Sequence, residues 1–112
     1  MKVQNQERRK LLEEELQRIL TVLIREYKPT RVYLFGSLAS PRVHDWSDID
    51  LIIIKETNRR FLDRIGDVLV LLKPRVGCDI VVYTPAEFDE MKTRKFFKTE
   101  VDQHGKILYE AA

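Results

Sequence analysis

The chain has 112 residues, 44% hydrophobic and 34% charged, with a formal net charge of +2 and a single cysteine. That is enough chain for one core and not for two, so residues 1–112 read as a single soluble globular domain. The small net charge gives no global basic field for nucleic acid, and no apolar run approaches the roughly 20 residues of a membrane span. The charged start lacks the apolar region of a signal peptide, and one cysteine excludes an internal disulfide framework, so the expected location is the cytoplasm.

The first predicted element is a long helix from about Gln6 to Tyr27. Leu12, Leu16, Ile19, Leu20, Leu23 and Tyr27 recur at three- and four-residue steps, leaving Arg8, Glu14, Arg18 and Arg25 for solvent. Lys28-Pro29 stops it, because the residue before a proline is pushed out of the helical region. Val32-Tyr33-Leu34-Phe35 follows as a short apolar run, read as a buried strand.

Gly36-Ser37 comes next, then ten residues, then Asp48-Ile49-Asp50-Leu51, which runs into the apolar Ile52-Ile53-Ile54. Side chains at i and i+2 of a strand share a face, so Asp48 and Asp50 project together. Neighbouring carboxylates repel, and an apolar strand offers them no stabilising role. A divalent cation resolves the conflict, and magnesium takes oxygen ligands while keeping substrate phosphates in its shell. Gly36 permits close backbone approach to a ligand. N–H groups at the following helix start, with the Ser37 hydroxyl, are suited to phosphate oxygens. In the intervening loop, Arg42 and His44 are either phosphate contacts or solvated surface. Trp46 either stacks on a base or anchors the loop, anchoring being the preferred reading.

A second helix is expected from about Arg59 to Leu72, capped by Thr57 or Asn58, with Leu62, Ile65, Leu69 and Leu72 on its buried stripe. Lys73-Pro74 closes it. Gly77 then leads into a third strand, Cys78–Tyr83. Asp79 is either a strand-end residue beside the Gly77 turn or, if this strand lies beside the second, the completion of a cluster with Asp48 and Asp50. Cys78 reads as a packed thiol. Thr84-Pro85-Ala86-Glu87 carries a capping-box pair and a proline at the first helical position, starting a helix to about Arg94 with Phe88 and Met91 inward. Phe96-Phe97 lies among basic residues, and the nearby Glu100 and Asp102 favour a solvated or partner-docking face. A last helical turn ending at Gly105 and a short apolar tail, Ile107-Leu108-Tyr109, complete the chain, the tail as an edge strand or docked on the sheet. The order gives an α/β domain: a short mixed sheet packed against helices, with a leading N-terminal helix and the carboxylates at one edge of an uncovered face.

Gly36-Ser37, the ten-residue spacer and Asp48-Ile49-Asp50-Leu51 resemble the signature of the DNA polymerase beta-type nucleotidyltransferase superfamily, and the short chain resembles its minimal branch. The spacer is similar to the family pattern at Ala39 and Ser47 and departs from it at Pro41, where a glycine is usual. The resemblance implies that Asp48, Asp50 and Asp79 are both catalytic and metal ligands, and that Gly36, Ser37 and Ser47 bind the nucleotide. Two magnesium ions and ATP are the expected cofactor and substrate. It also implies a separate HEPN-type protein partner, encoded alongside, for which such minimal transferases act as antitoxins. Transfer of AMP to a tyrosine hydroxyl of that partner is the leading expectation. A non-catalytic antitoxin that masks its partner, and a small-molecule transferase of the aminoglycoside-modifying kind, are the alternatives. Self-association and association with a partner both remain open at this stage.

Overall fold

The computed structural model describes residues 2–35, 49–94 and 105–111, with side chains from Gln6 onward. Its described elements are α1 (Lys2–Val22), β1 (Arg31–Phe35), β2 (Ile49–Ile54), α2 (Phe61–Leu72), β3 (Cys78–Tyr83), α3 (Pro85–Met91) and β4 (Lys106–Glu110). The expected mixed sheet with a leading helix is present. The Gly36-Ser37 turn, the loop holding Pro41, Arg42, His44 and Trp46, the Phe96-Phe97 segment and the last helical turn before Gly105 lie outside the described residues.

The sheet has the order β3-β2-β1-β4. β1 pairs antiparallel with both β2 and β4, whereas β2 and β3 run parallel. A parallel pair needs a crossover, and α2 supplies it. The C-terminal apolar tail is therefore an edge strand, paired with β1.

Alternation along the strands sorts their side chains onto two faces. On one face Val32, Leu34, Ile49, Leu51, Ile53, Ile80 and Val82 are buried under α1 and α2, through Leu12, Leu16, Ile19 and Leu23 of the first helix and Val68 and Leu72 of the second. Cys78 packs against this cluster as a half-buried thiol, as expected. On the other face Tyr33, Ile52 and Ile54 are buried with Phe88 of α3, joined by Phe35, Tyr83 and Met91. The Phe88 and Tyr33 rings stack at 5.3 Å.

α1 is prolonged by a wider π turn, Leu23–Tyr27, and ends where Lys28 adopts a left-handed φ of 55° and returns its N–H to the Leu23 carbonyl. The stop at Lys28-Pro29 is as the sequence indicated. Arg18 departs from expectation, being tied down and not free in solvent. Its guanidinium donates to both carboxylate oxygens of the buried Glu15, at 2.7 and 2.9 Å, and to the Leu72 carbonyl at 2.9 Å. Glu15 also accepts the Arg75 backbone N–H at 2.6 Å. The Arg18 hydrogen bond is the main reason the Glu15 carboxyl titrates below its ordinary range. This pair holds the orphan carbonyls at the end of α2, where Lys73 turns left-handed at φ 44°.

α2 differs more. It starts at Phe61 with Arg60 as its N-cap residue and no side-chain cap, while Thr57 accepts from the Arg59 N–H in the preceding turn. Of the expected stripe only Leu72 is buried. Ile65 is half-buried, and Leu62 and Leu69 are exposed. Arg64 and Val68 take the inward positions. Arg64 is inward because polar partners await it there: its guanidinium donates to the Val82 carbonyl at 3.1 Å, to the Arg59 carbonyl at 2.8 Å and to Glu87 at 2.7 Å. Glu87 is also half of the capping box, its side chain accepting from the Thr84 N–H while its own N–H reaches the Thr84 hydroxyl. That cap appears as the sequence indicated, though α3 stops at Met91, short of Arg94.

Candidate active site

The parallel register of β2 and β3 sets the site. Asp50 and Asp79 are Cα partners across the pair, as are Ile52 and Val81 two residues further along. Neighbouring strands lie about 4.8 Å apart, and partners in register project to the same face, so the two carboxylates stand side by side. They occupy the face opposite α1. Phe35, the partner of Asp50 across β1, completes the row on the other flank.

Each acid has its position for a local reason. Asp50 sits between Ile49 and Leu51, whose buried side chains fix the strand's rotation and turn Asp50 to the far face. Asp79 follows Gly77, whose carbonyl accepts the Ile49 N–H at 3.0 Å and so starts the parallel pairing one residue before Cys78. Asp50 is half-buried and Asp79 is exposed. One acid therefore lies against the sheet and the other is open to solvent.

α3 covers the same face only in part. Phe88 and Met91 lie over the rows built by Tyr33, Ile52 and Ile54, beyond the carboxylate row. Among the described residues the face expected to be uncovered is thus half roofed, and the acids lie beyond the roof. The roof is held by Arg64, whose bond is the main cause of Glu87 titrating below its ordinary range. Beneath it, burial pushes the Tyr83 phenol up, with the Glu87 charge adding to the effect.

Of the six residues singled out from the sequence, the structure brings Asp50 and Asp79 together. Asp48, Ser47, Gly36 and Ser37 lie outside the described residues. Among the described residues no three His, Cys, Asp or Glu side chains gather into a metal-binding group. The described donors are carboxylate oxygens alone, the hard ligand type that magnesium takes, so the pair fits such an ion. Two adjacent like charges on a partly covered surface also favour a bound cation. Phe35 is the neighbour that sequence reasoning did not place here. Its place immediately before Gly36 was a usable signal, since a strand leading into that turn ends beside the acids.

These features are those of a small phosphoryl-transfer domain: a mixed sheet, a strand ending at a Gly-Ser pair, and carboxylates in register on the next two strands. The family model described as polymerase beta, nucleotidyltransferase, matches residues 14–112, and the chain belongs to that family. It is accordingly a nucleotidyltransferase by family. No curated protein sequence matches it closely enough to count as a relative. Among solved structures, it is similar in fold to a protein taken to be a nucleotidyltransferase from Sulfolobus solfataricus, with TM-score 0.57 and 21% identity over 96% of this chain and 84% of that one. It is also similar to chains from two structures of a toxin–antitoxin pair, MntA-HpeT. One carries a tyrosine-to-alanine change, with TM-score 0.55 and 21% identity over 86% of this chain and 72% of the other. The second has two aspartates, two positions apart, replaced by glutamates, with TM-score 0.52 and 19% identity over 87% and 73%.

Proposed function

We propose that the protein transfers AMP from ATP to a hydroxyl group, the acceptor being a tyrosine of a HEPN-type toxin for which this chain is the antitoxin. The observation that carries the reading is the register of Asp50 with Asp79 on the half-open face of the sheet. The fold shared with chains of a toxin–antitoxin pair supports the biological setting.

Asp48, Asp50 and Asp79 are the residues to hold magnesium, two ions in the expected arrangement, and the metal supplies charge neutralisation along the triphosphate. The remaining work falls to the chain itself. Asp50, lying against the sheet and flanked by Phe35, is the fixed ligand. Asp79, exposed at the strand, is the residue assigned to accept the proton of the incoming hydroxyl. The acceptor oxygen bonds to the α-phosphorus as the bond from that phosphorus to the bridging oxygen breaks. Pyrophosphate departs, held by the Gly36-Ser37 turn, whose N–H groups and hydroxyl suit its charge, and Ser47 is the third residue assigned to the nucleotide. Positioning and charge neutralisation account for most of the rate, as is general for phosphoryl transfer.

The test is to incubate the purified chain with its HEPN-type partner, magnesium and ATP labelled at the α-phosphate. Label retained on the partner after denaturation, and lost when its tyrosines are replaced by phenylalanine, is the expected result. Free AMP with no labelled protein would defeat the acceptor assignment.

A further inference from the structure

Beside its buried stripe, α2 carries a second apolar stripe that is exposed and has no neighbour among the described residues. Leu62, Gly66, Leu69 and Lys73 follow each other at steps of four, three and four residues, which places them on one line along the helix. Leu62 is 75% exposed, Val70 beside the line 72% and Leu69 36%. Gly66 is the informative member. Glycine inside a helix costs stability relative to alanine, and no atom lies within 4 Å of where its Cβ would stand. Nothing among the described residues requires a small residue there. A glycine flanked by exposed leucines permits the close approach of another helix from outside.

The surface is complementary to itself. Leu69 protrudes three residues from the hollow at Gly66, so an antiparallel pair of α2 helices seats each Leu69 over the other copy's Gly66. The charges agree with that orientation. Asp63 flanks the start of the stripe, Asp67 beside its middle is paired with Arg59 at 2.8 Å, and Lys73 and Arg75 stand at its end. An antiparallel pairing brings Lys73 of each copy beside Asp63 of the other, whereas a parallel pairing sets like charges against each other. A patch that carries both knob and hole, and both signs of charge, closes by a twofold axis. We propose that α2 is the interface of a homodimer, two chains meeting antiparallel across Leu62, Gly66, Leu69 and Val70. α2 packs on the sheet face opposite Asp50 and Asp79, so such a dimer leaves both carboxylate rows open.

Sedimentation equilibrium of the full chain tests this. The expected mass rises with concentration from 13.3 kDa toward twice that value. Gly66→Gln is the sharpest variant, because its side chain has open space in the single chain and favours helix. It is expected to abolish the dimer while raising the Tm measured at concentrations where the parent is monomeric, two effects that a merely destabilising change does not combine. Asp63→Lys alone is expected to weaken association by roughly tenfold, since the twofold axis loses two ion pairs at once. Adding Lys73→Asp to the same chain is expected to restore it. A parent that stays monomeric at every concentration, a dimer indifferent to Gly66→Gln, or a charge swap without rescue would each overturn the proposal. So would a monomer whose α2 stripe is protected from hydrogen exchange only by a different protein.

Discussion

The two faces of the sheet are made by the same strands and do different things. On β2, Ile49, Leu51 and Ile53 point under α1 and α2 and lose almost all contact with water. Asp50, Ile52 and Ile54 point the other way, where the short α3 roofs Ile52 and Ile54 and stops short of the carboxylate row. One face is sealed by two long helices and the other is half open, with two acids at the open end. A period of two lets six consecutive residues serve both purposes, because odd positions enter the sealed core while the even ones lie on the face that carries Asp50. Stability and chemistry should therefore separate between Ile53 on the sealed face and Asp50 on the other.

The largest expected effect is on the open face. Replacing Asp48 or Asp50 with Asn is expected to lower transfer by roughly three orders of magnitude or more, about 4 kcal/mol of transition-state stabilisation. The metal-free Tm should equal or exceed the parent's, since one of the adjacent like charges is gone. Thermal unfolding beside a labelled-transfer assay reads both, and a large fall in Tm would make the acids structural.

On the sealed face the reverse holds. Ile53→Ala removes a fully buried side chain, and such truncations cost about 2–5 kcal/mol. Denaturant unfolding measures that loss, and the transfer rate per folded molecule should stay at the parent's value. A strongly reduced rate in the folded fraction would break the division between the faces.

Asp79→Asn sharpens the comparison within the open face. If the exposed acid handles the acceptor's proton while the half-buried one anchors the metal, transfer falls by roughly two orders of magnitude and MgATP affinity falls much less. Cell protection, measured in parallel, is expected to be lost together with transfer. Intact protection without transfer would make masking of the partner the biological role.

Ligand binding should register on the open face alone. Magnesium with ATP is expected to raise stability by about 2.7 kcal/mol at one hundred times the dissociation constant, with magnesium or ATP singly giving far less. Equal shifts from each component, read by calorimetry, would argue against a joint site.

The smallest effect is on pH dependence. Glu15 and Glu87 are both held below their ordinary range, chiefly by hydrogen bonds from Arg18 and Arg64 respectively. A carboxyl with a lowered folded-state pKa contributes stability above its unfolded value, and that contribution fades as pH falls toward the folded value. Tm is thus expected to be level near neutrality and to decline below about pH 4.5, the ordinary value for a glutamate carboxyl. Replacing Arg18 with Met should flatten the part due to Glu15, which a Tm series across acid pH would follow.

Much of this fold is legible in the sequence, and the parts that are not share a cause. The strands announce themselves as short apolar runs. Thr84 and Glu87 signal the start of α3 because a capping box is a local device that needs no tertiary partner. The two acids stand out because nothing local explains a carboxylate in an apolar strand. α2 misleads because its residues are apolar nearly all round, so periodicity does not choose among adjacent stripes. What chooses is remote: the Val82 carbonyl and Glu87 draw Arg64 inward and rotate Leu62 and Leu69 out. Arg18 likewise reads as solvated on its own helix, whereas it pairs with Glu15 and finds a further partner at the end of α2, 54 residues away. The adjacency of Asp50 and Asp79 is of this kind too, since both acids are visible in the sequence and their register belongs to the sheet.

That register also orders events in time. Asp50 and Asp79 come from strands that pair only after α2 has crossed between them, and parallel pairing at such separation is slow because loop closure must precede its reward. During synthesis β2 leaves the ribosome with its acids well before β3 follows. The Glu15–Arg18 clamp on residues 72–75 ties the first helix to the residues just ahead of β3, so docking of that helix helps to hold the strand of the last carboxylate in line. Paired acids are then a product of the finished fold and absent from its earlier stages. On the proposed role of these acids, a nascent or partly folded chain is in this way kept from the chemistry of the whole one.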